Sequence, residues 1–108
     1  GLTDPLRIAN YYLHLGARIA IVTQGGAGTL VATHEKNRQI DAIKVKPVDA
    51  TGAGDTFDGA FLAEYLKHGD PFAAALYANA AAGLATEGYG AVAPMPRRAA
   101  VEAALAGR

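Results

Sequence analysis

The chain has 108 residues, 25 of them Ala and 13 Gly, and its 10 Lys plus Arg balance 10 Asp plus Glu, so it carries no formal charge. That balance, with 19% charged residues, excludes a basic domain that coats nucleic acid and an acidic disordered tail, since both need a surplus of one sign. Only 30 residues are Val, Ile, Leu, Met, Phe or Tyr, which suits one core in a chain that buries about two thirds of its unfolded surface.

Thr3-Asp4-Pro5 marks a helix start, with Thr3 or Asp4 as N-cap and Pro5 in the first turn, where its missing N–H costs nothing. Ile8, Tyr12 and Leu15, with Leu6 and Leu13, recur at helical spacing, so the helix runs to about Leu15 and stops at Gly16. Arg18-Ile19-Ala20-Ile21-Val22-Thr23 is short, β-branched and apolar on both faces, as a buried parallel strand is. Residues 24–28 form a glycine-rich turn, and 29–33 and 39–45 predict two more strands in a meander or hairpin around the polar run at 34–38. Residues 47–54 then read as a loop and 55–68 as a helix, with Phe57, Phe61 and Tyr65 on its core face. Gly69-Asp70-Pro71 ends that helix and caps the next, an Ala-rich one over 71–86 whose small side chains suit close packing. A loop at 88–96 and a last short helix at 97–105 complete an order of α, β, β, β, α, α, α, which suits part of an α/β layered sheet better than a complete one.

The absent residues narrow the chemistry. There is no Cys and no Ser, which removes disulfides, thiolate metal sites and both Cys- and Ser-centred nucleophiles. No apolar run is long enough to span a bilayer, and residues 1–7 lack the blocks of a signal peptide, so the expected location is the cytoplasm, with no membrane or nucleic-acid partner. His34-Glu35 fails as a zinc motif because Arg38 stands where the second His is needed. His14, His34 and His68 read as solvated, Tyr11-Tyr12 as packing for the first helix, and Arg97-Arg98 as a cap or start of the last helix that needs no ligand to explain it. No G-x-x-x-x-G-K run is present, and Gly25-Gly26-Ala27-Gly28 opens no helix, which disfavours a dinucleotide-binding site.

The sharpest stretch is Asp49-Ala50-Thr51-Gly52-Ala53-Gly54-Asp55-Thr56-Phe57. Gly52 and Gly54 let the backbone turn tightly against a ligand, and a helix beginning near Asp55 points free N–H groups back at that loop, which makes an anion site suited to phosphate. Asp55 beside such a site is either a general base for a hydroxyl attacking the phosphate or a helix cap; spacing alone leaves the two level.

This stretch, followed by Gly59-Ala60, resembles the C-terminal signature D-T-x-G-A-G-D-x-F-x-x-G of the ribokinase-like, or PfkB, carbohydrate kinases. Val22-Thr23-Gln24-Gly25-Gly26-Ala27-Gly28 resembles the family's strand followed by T-x-G-x-x-G, and residues 79–83 with the loop through Gly90 to Pro94 resemble its adenine-side helix and following loop. The resemblance implies a three-layer α/β/α, Rossmann-like fold, here its C-terminal, nucleotide-binding and catalytic portion without N-terminal part or lid. It implies ATP-dependent phosphorylation of a hydroxyl of a sugar or sugar acid. Asp55 takes the role of base, and the N–H groups of Gly52, Ala53 and Gly54 form the anion hole, each such donor being worth about 3 kcal/mol in the transition state. Thr23, Gly25 and Gly28 line the ribose and phosphates, and Asn79, Ala82 and Gly83 lie against the adenine. By the same resemblance Asp49, Thr51, Ala85 and Gly90 match the places of a monovalent-cation site found in many family members, with K+ as the candidate ion, and Mg2+ accompanies ATP.

Other family features are not in these residues: the Gly-Gly signature, the sugar-binding residues, the lid and the N-x-x-E motif that organises Mg2+. The isolated chain is therefore expected to be inactive. Ala50 replaces the commoner Thr without consequence, and Asp58, one turn from Asp55, is read as facing solvent. The run 54–62 is similar to 2-keto-3-deoxygluconate kinases, although the sugar cannot be named from these residues. The resemblance leaves room for a homodimer of the full-length protein. The competing expectation is a non-catalytic nucleotide-binding half, or kinase remnant, that needs a partner chain.

Overall fold

A computed structural model describes residues 4–43, 53–86 and 98–106, and these fall in two compact units, Gly1–Asp41 and Ala42–Arg108. The first unit opens with helix α1, Pro5–His14, behind an extended Asp4 at the N-cap and with Pro5 in the first turn. Strands β1 (Ile19–Thr23), β2 (Thr29–Thr33) and β3 (Asn37–Ile40) follow as an antiparallel meander in the order β1-β2-β3.

Two sequence expectations shift here. Among the described residues β1 pairs with β2 alone, antiparallel, and Ile19, Ile21 and Val22 are half-buried, so the parallel neighbour and full burial expected of it are not found among these residues. The pairing with β2 follows from the link: the few residues between Thr23 and Thr29 close a hairpin but cannot make the crossover that parallel pairing of these two strands requires. β3 begins at Asn37 instead of 39, because the hairpin closes early. The Thr33 amide donates to Lys36 O at 2.8 Å, and the Thr33 hydroxyl oxygen accepts from the amides of Glu35 and Lys36, both at 3.3 Å. β3 ends at Ile40, so the strand expected to reach residue 45 is shorter; 44 and 45 lie outside the described residues.

Alternation along the strands builds the core of this unit. Ala20 pairs with Ala32 and Val22 with Leu30, which places all four on one face, where Ala9 and Leu13 of α1 pack against them. On the opposite face Thr29, Val31 and Ile40 are buried too.

In the second unit, helices α2 (Ala53–His68) and α3 (Pro71–Ala85) pack along each other across a two-residue link, and α4 (Arg98–Ala106) packs on α3. So short a link between helices in contact along their length makes the pair antiparallel, which brings the start of α2 and the end of α3 to the same end. Phe57, Ala60 and Glu64 form the buried face of α2, and Ala74, Ala75, Ala78, Ala81 and Ala85 are buried on α3. The ring series is partly buried: Phe57 is in the core, and Phe61 and Tyr65 stack onto it in turn with centroid spacings of 6.2 and 5.7 Å.

A buried carboxylate organises the other end of this unit. Glu64 is 8% exposed and pairs with the Arg98 guanidinium, with Lys67 Nζ at 3.8 Å. Arg98 also reaches Glu102 at 3.3 Å and lies 4.6 Å from the Tyr77 ring centroid. Arg98 thus opens α4, as expected, and joins three helices as well. A planar fork that can serve two carboxylates and stack on a ring suits this position, where a lysine would not. Among the described residues no helix is long and apolar enough to cross a membrane.

Candidate functional site

In the first unit the candidate nucleotide-side residues end β1 and form the turn after it. Thr23 is the last, exposed residue of β1, and Gly25–Ala27 is a single 3-10 turn. Its hydrogen bonds account for most of its amides: Gln24 N–H donates to Gly28 O at 2.8 Å, Ala27 N–H to Gln24 O at 3.1 Å and Gly28 N–H to Gly25 O at 3.0 Å. The amides of Gly25 and Gly26 have no acceptor among the described residues. Gly25 has φ +57° and Gly28 φ +94° with ψ −144°, and the latter combination is open essentially to glycine alone.

In the second unit, α2 starts two residues before the expected position. Ala53 and Gly54 are therefore its first two residues, and Asp55 is its third, exposed residue. Ala is the best helix former and a glycine in the first turn costs little, so the helix takes in residues read from sequence as loop. The amides of Ala53, Gly54 and Asp55 are among those an α-helix cannot satisfy internally, and the positive end of its dipole lies there. This removes N-cap from the roles open to Asp55, since that position precedes the helix; a first-turn acid that favours the dipole remains its bland role. Asp58 lies exposed one turn on.

Asn79, Ala82 and Gly83 share one face of α3, three and four residues apart; Asn79 is buried and the other two are half-buried. Ala85 closes α3, and the amide of Thr86 turns back to Gly83 O and Leu84 O. The other expected ligands, Asp49, Thr51 and Gly90, and the anion-hole residue Gly52, lie outside the described residues. Among the described residues no group of three or more His, Cys, Asp or Glu could hold a metal.

Sequence reading missed some partners and placed others differently. Tyr11 and Tyr12, expected to pack α1, are 50% and 54% exposed and meet edge-on at 5.4 Å. The three histidines are exposed as expected, yet His34 Nε2 bonds Ala17 O at 2.9 Å and His68 Nδ1 accepts the Asp70 amide at 3.2 Å. The Glu64–Arg98 pair spans 34 positions and has no local signal. Tyr77 responds to this cluster: burial pushes its phenol above the ordinary pKa, with Arg98 opposing and Glu64 and Glu102 reinforcing.

Comparison with solved structures identifies the architecture to which these elements belong. The chain superposes on an E. coli protein assigned as a ribokinase II, in complex with ATP and Mg2+, with a TM-score of 0.88 at 29% identity, over 99% of this chain and 35% of that one. It likewise matches a fructokinase double mutant from Vibrio cholerae O395, bound to fructose, ADP and potassium ion, with a TM-score of 0.82 at 31% identity, over 97% and 36% of the two chains. The fold is thus ribokinase-like. Residues 3–98 match the family model described as pfkB family carbohydrate kinase, and the chain belongs to that family. A ribokinase of Staphylococcus aureus strain COL is 40% identical over 89 residues, 82% of this chain and 29% of the relative. The chain therefore spans under a third of that relative's length.

Proposed function

We propose that the full-length protein transfers the γ-phosphoryl group of ATP to a hydroxyl of a small sugar or sugar acid. One observation carries the reading: α2 begins at Ala53, so a helix N-terminus, whose leading amides have no acceptor within the helix, stands two residues before an exposed carboxylate, within a chain of the pfkB family. The carboxylate of Asp55 accepts the proton of the sugar hydroxyl as that oxygen bonds the γ-phosphorus and the bond to the β-phosphate bridge breaks. The N–H groups of Gly52, Ala53 and Gly54 neutralise charge that grows on the moving phosphoryl, where fixed donors act without reorganising.

The 23–28 segment holds the ribose and phosphates through Thr23, Gly25 and Gly28, and the face formed by Asn79, Ala82 and Gly83 lies against the adenine. Antiparallel packing supports this division, because it sets the Asp55 end of α2 beside the Asn79–Ala85 end of α3. Asp49, Thr51, Ala85 and Gly90 hold a K+ ion next to the anion hole; Ala85, the last residue of α3, lies at the end that antiparallel packing sets beside the start of α2. Mg2+ accompanies ATP and supplies charge neutralisation on its phosphates.

The test is ADP release by the full-length protein with ATP, Mg2+ and a panel of ribose, fructose and 2-keto-3-deoxygluconate, with and without K+. Sugar-dependent ADP release is expected with at least one of them. ATP binding with no release from any sugar would turn the reading to a nucleotide-binding module.

A further inference from the structure

The glycine turn after β1 is braced from β3 by a side chain with no place in the reading above. Gln39 is exposed and pairs with Leu30 in the β2–β3 register, which sets it beside the turn between β1 and β2. Its Nε2 donates to Ala27 O at 2.8 Å, and its Oε1 accepts from Gln24 Nε2 at 2.9 Å. A weaker contact from the same Nε2 goes to Ile40 O at 3.4 Å. One amide group thus ties the first and last parts of the turn together.

The need for a brace follows from the sequence. Gly25-Gly26-Ala27-Gly28 offers the turn no side chain longer than a methyl, and each such residue loses about 1–2 kcal/mol of backbone entropy when fixed. Ligand binding to a loose turn meets that cost at the moment of association, whereas a turn already fixed does not. The bonds within the turn close it at Gln24 and Gly28 but leave the Ala27 carbonyl to Gln39.

We propose that Gln39, through Gln24 and Ala27, is a positioning residue that holds the glycine turn in its nucleotide-binding shape. The inference rests on the assignment of this turn to ATP. Gln39 itself touches no nucleotide. It holds the turn so that the open amides of Gly25 and Gly26 keep their direction.

The experiment compares the full-length protein with its Gln39→Ala, Gln39→Glu, Gln24→Ala and double Gln24→Ala/Gln39→Ala variants. ATP affinity by calorimetry, KM for ATP, KM for sugar, kcat and the melting midpoint are measured for each. Loss of the brace is expected to weaken ATP roughly three- to tenfold, the effect of one net hydrogen bond. The sugar KM, kcat and melting midpoint stay near the parent's, since Gln39 is exposed and outside the core. Gln39→Glu keeps the acceptor for Gln24 but loses the donor to Ala27 O, so it weakens ATP as Ala does. The double variant is no worse than the weaker single one, because the two side chains act as one unit. Unchanged ATP affinity in Gln39→Ala beside a parent that binds ATP overturns the inference alone. A loss shared by the sugar KM, kcat and the melting midpoint also overturns it, since that marks a structural role. A parent that binds no ATP overturns both the inference and the assignment of the turn.

Discussion

Removing the Asp70 side chain tests how α3 is built, and the size of the effect can be worked out donor by donor. The first turn of an α-helix leaves its leading amides without intrahelical acceptors. In α3, Pro71 has no N–H, and Ala74 N–H reaches Asp70 O at 3.0 Å. The amides of Phe72 and Ala73 both go to Asp70 Oδ1, at 2.9 and 3.3 Å. Asp70→Ala orphans these two donors and no others. Ala73 is exposed, so water replaces most of its longer bond, whereas Phe72 is 8% exposed and its shorter bond is the larger loss. The expected destabilisation is about 1–2 kcal/mol, the upper part of the range for a lost N-cap. Asp70→Asn retains the acceptor and should recover more than half of that. Urea unfolding of the full-length protein, followed by far-UV circular dichroism, reads both values. Parental stability in Asp70→Ala, or an Asn variant as damaging as Ala, would show that the Asp70 carboxylate does not hold this helix start.

Two further outcomes follow from the Glu64 cluster. Arg98→Met should lower the melting midpoint more than Arg98→Lys does, because Met leaves the buried Glu64 carboxylate without its guanidinium. Adding Glu64→Gln should recover part of the loss by removing the buried charge; thermal melts of the single and double variants decide it, and additive losses would contradict it. Burial raises the Tyr77 pKa above its ordinary value, so folding favours the neutral phenol. That contribution is complete below about pH 10 and is lost as pH rises through the ordinary and then the raised value. Unfolding midpoints from neutral to alkaline pH should therefore fall less steeply in Tyr77→Phe than in the parent; parallel slopes would contradict this.

Elements set by local chemistry were legible in the residues. Asp4-Pro5 and Gly69-Asp70-Pro71 set helix starts, and the α3 cap has the bonds its sequence promises. The β2 bounds came through because its apolar run is closed by polar residues at 34–38. β3 was misplaced because the β-branched residues Ile40, Ile43 and Val45 drew the expected strand towards residue 45, while Thr33 closes the hairpin earlier. β1 looked doubly buried because its composition records apolarity and not which neighbour provides the cover. In the candidate site, the motif containing Asp55 was plain, but its place as third helical residue depended on how far the helix extends back into the glycine run. Gln39 and the Glu64–Arg98 pair were invisible because strand register and helix packing, which sequence spacing does not encode, bring them to their partners.

If Asp55 is the base of a phosphoryl transfer, the Asp55→Asn variant of the full-length protein loses turnover and keeps its nucleotide site. Asn keeps nearly the same volume and, at the third position of α2, the helix itself. With the sugar that supports turnover in the parent, kcat should fall about 100- to 10,000-fold, the range for losing a general base. ATP affinity and the melting midpoint should stay close to the parent's. Near-parental kcat in Asp55→Asn would contradict the claim and leave Asp55 as a first-turn acid at a helix start.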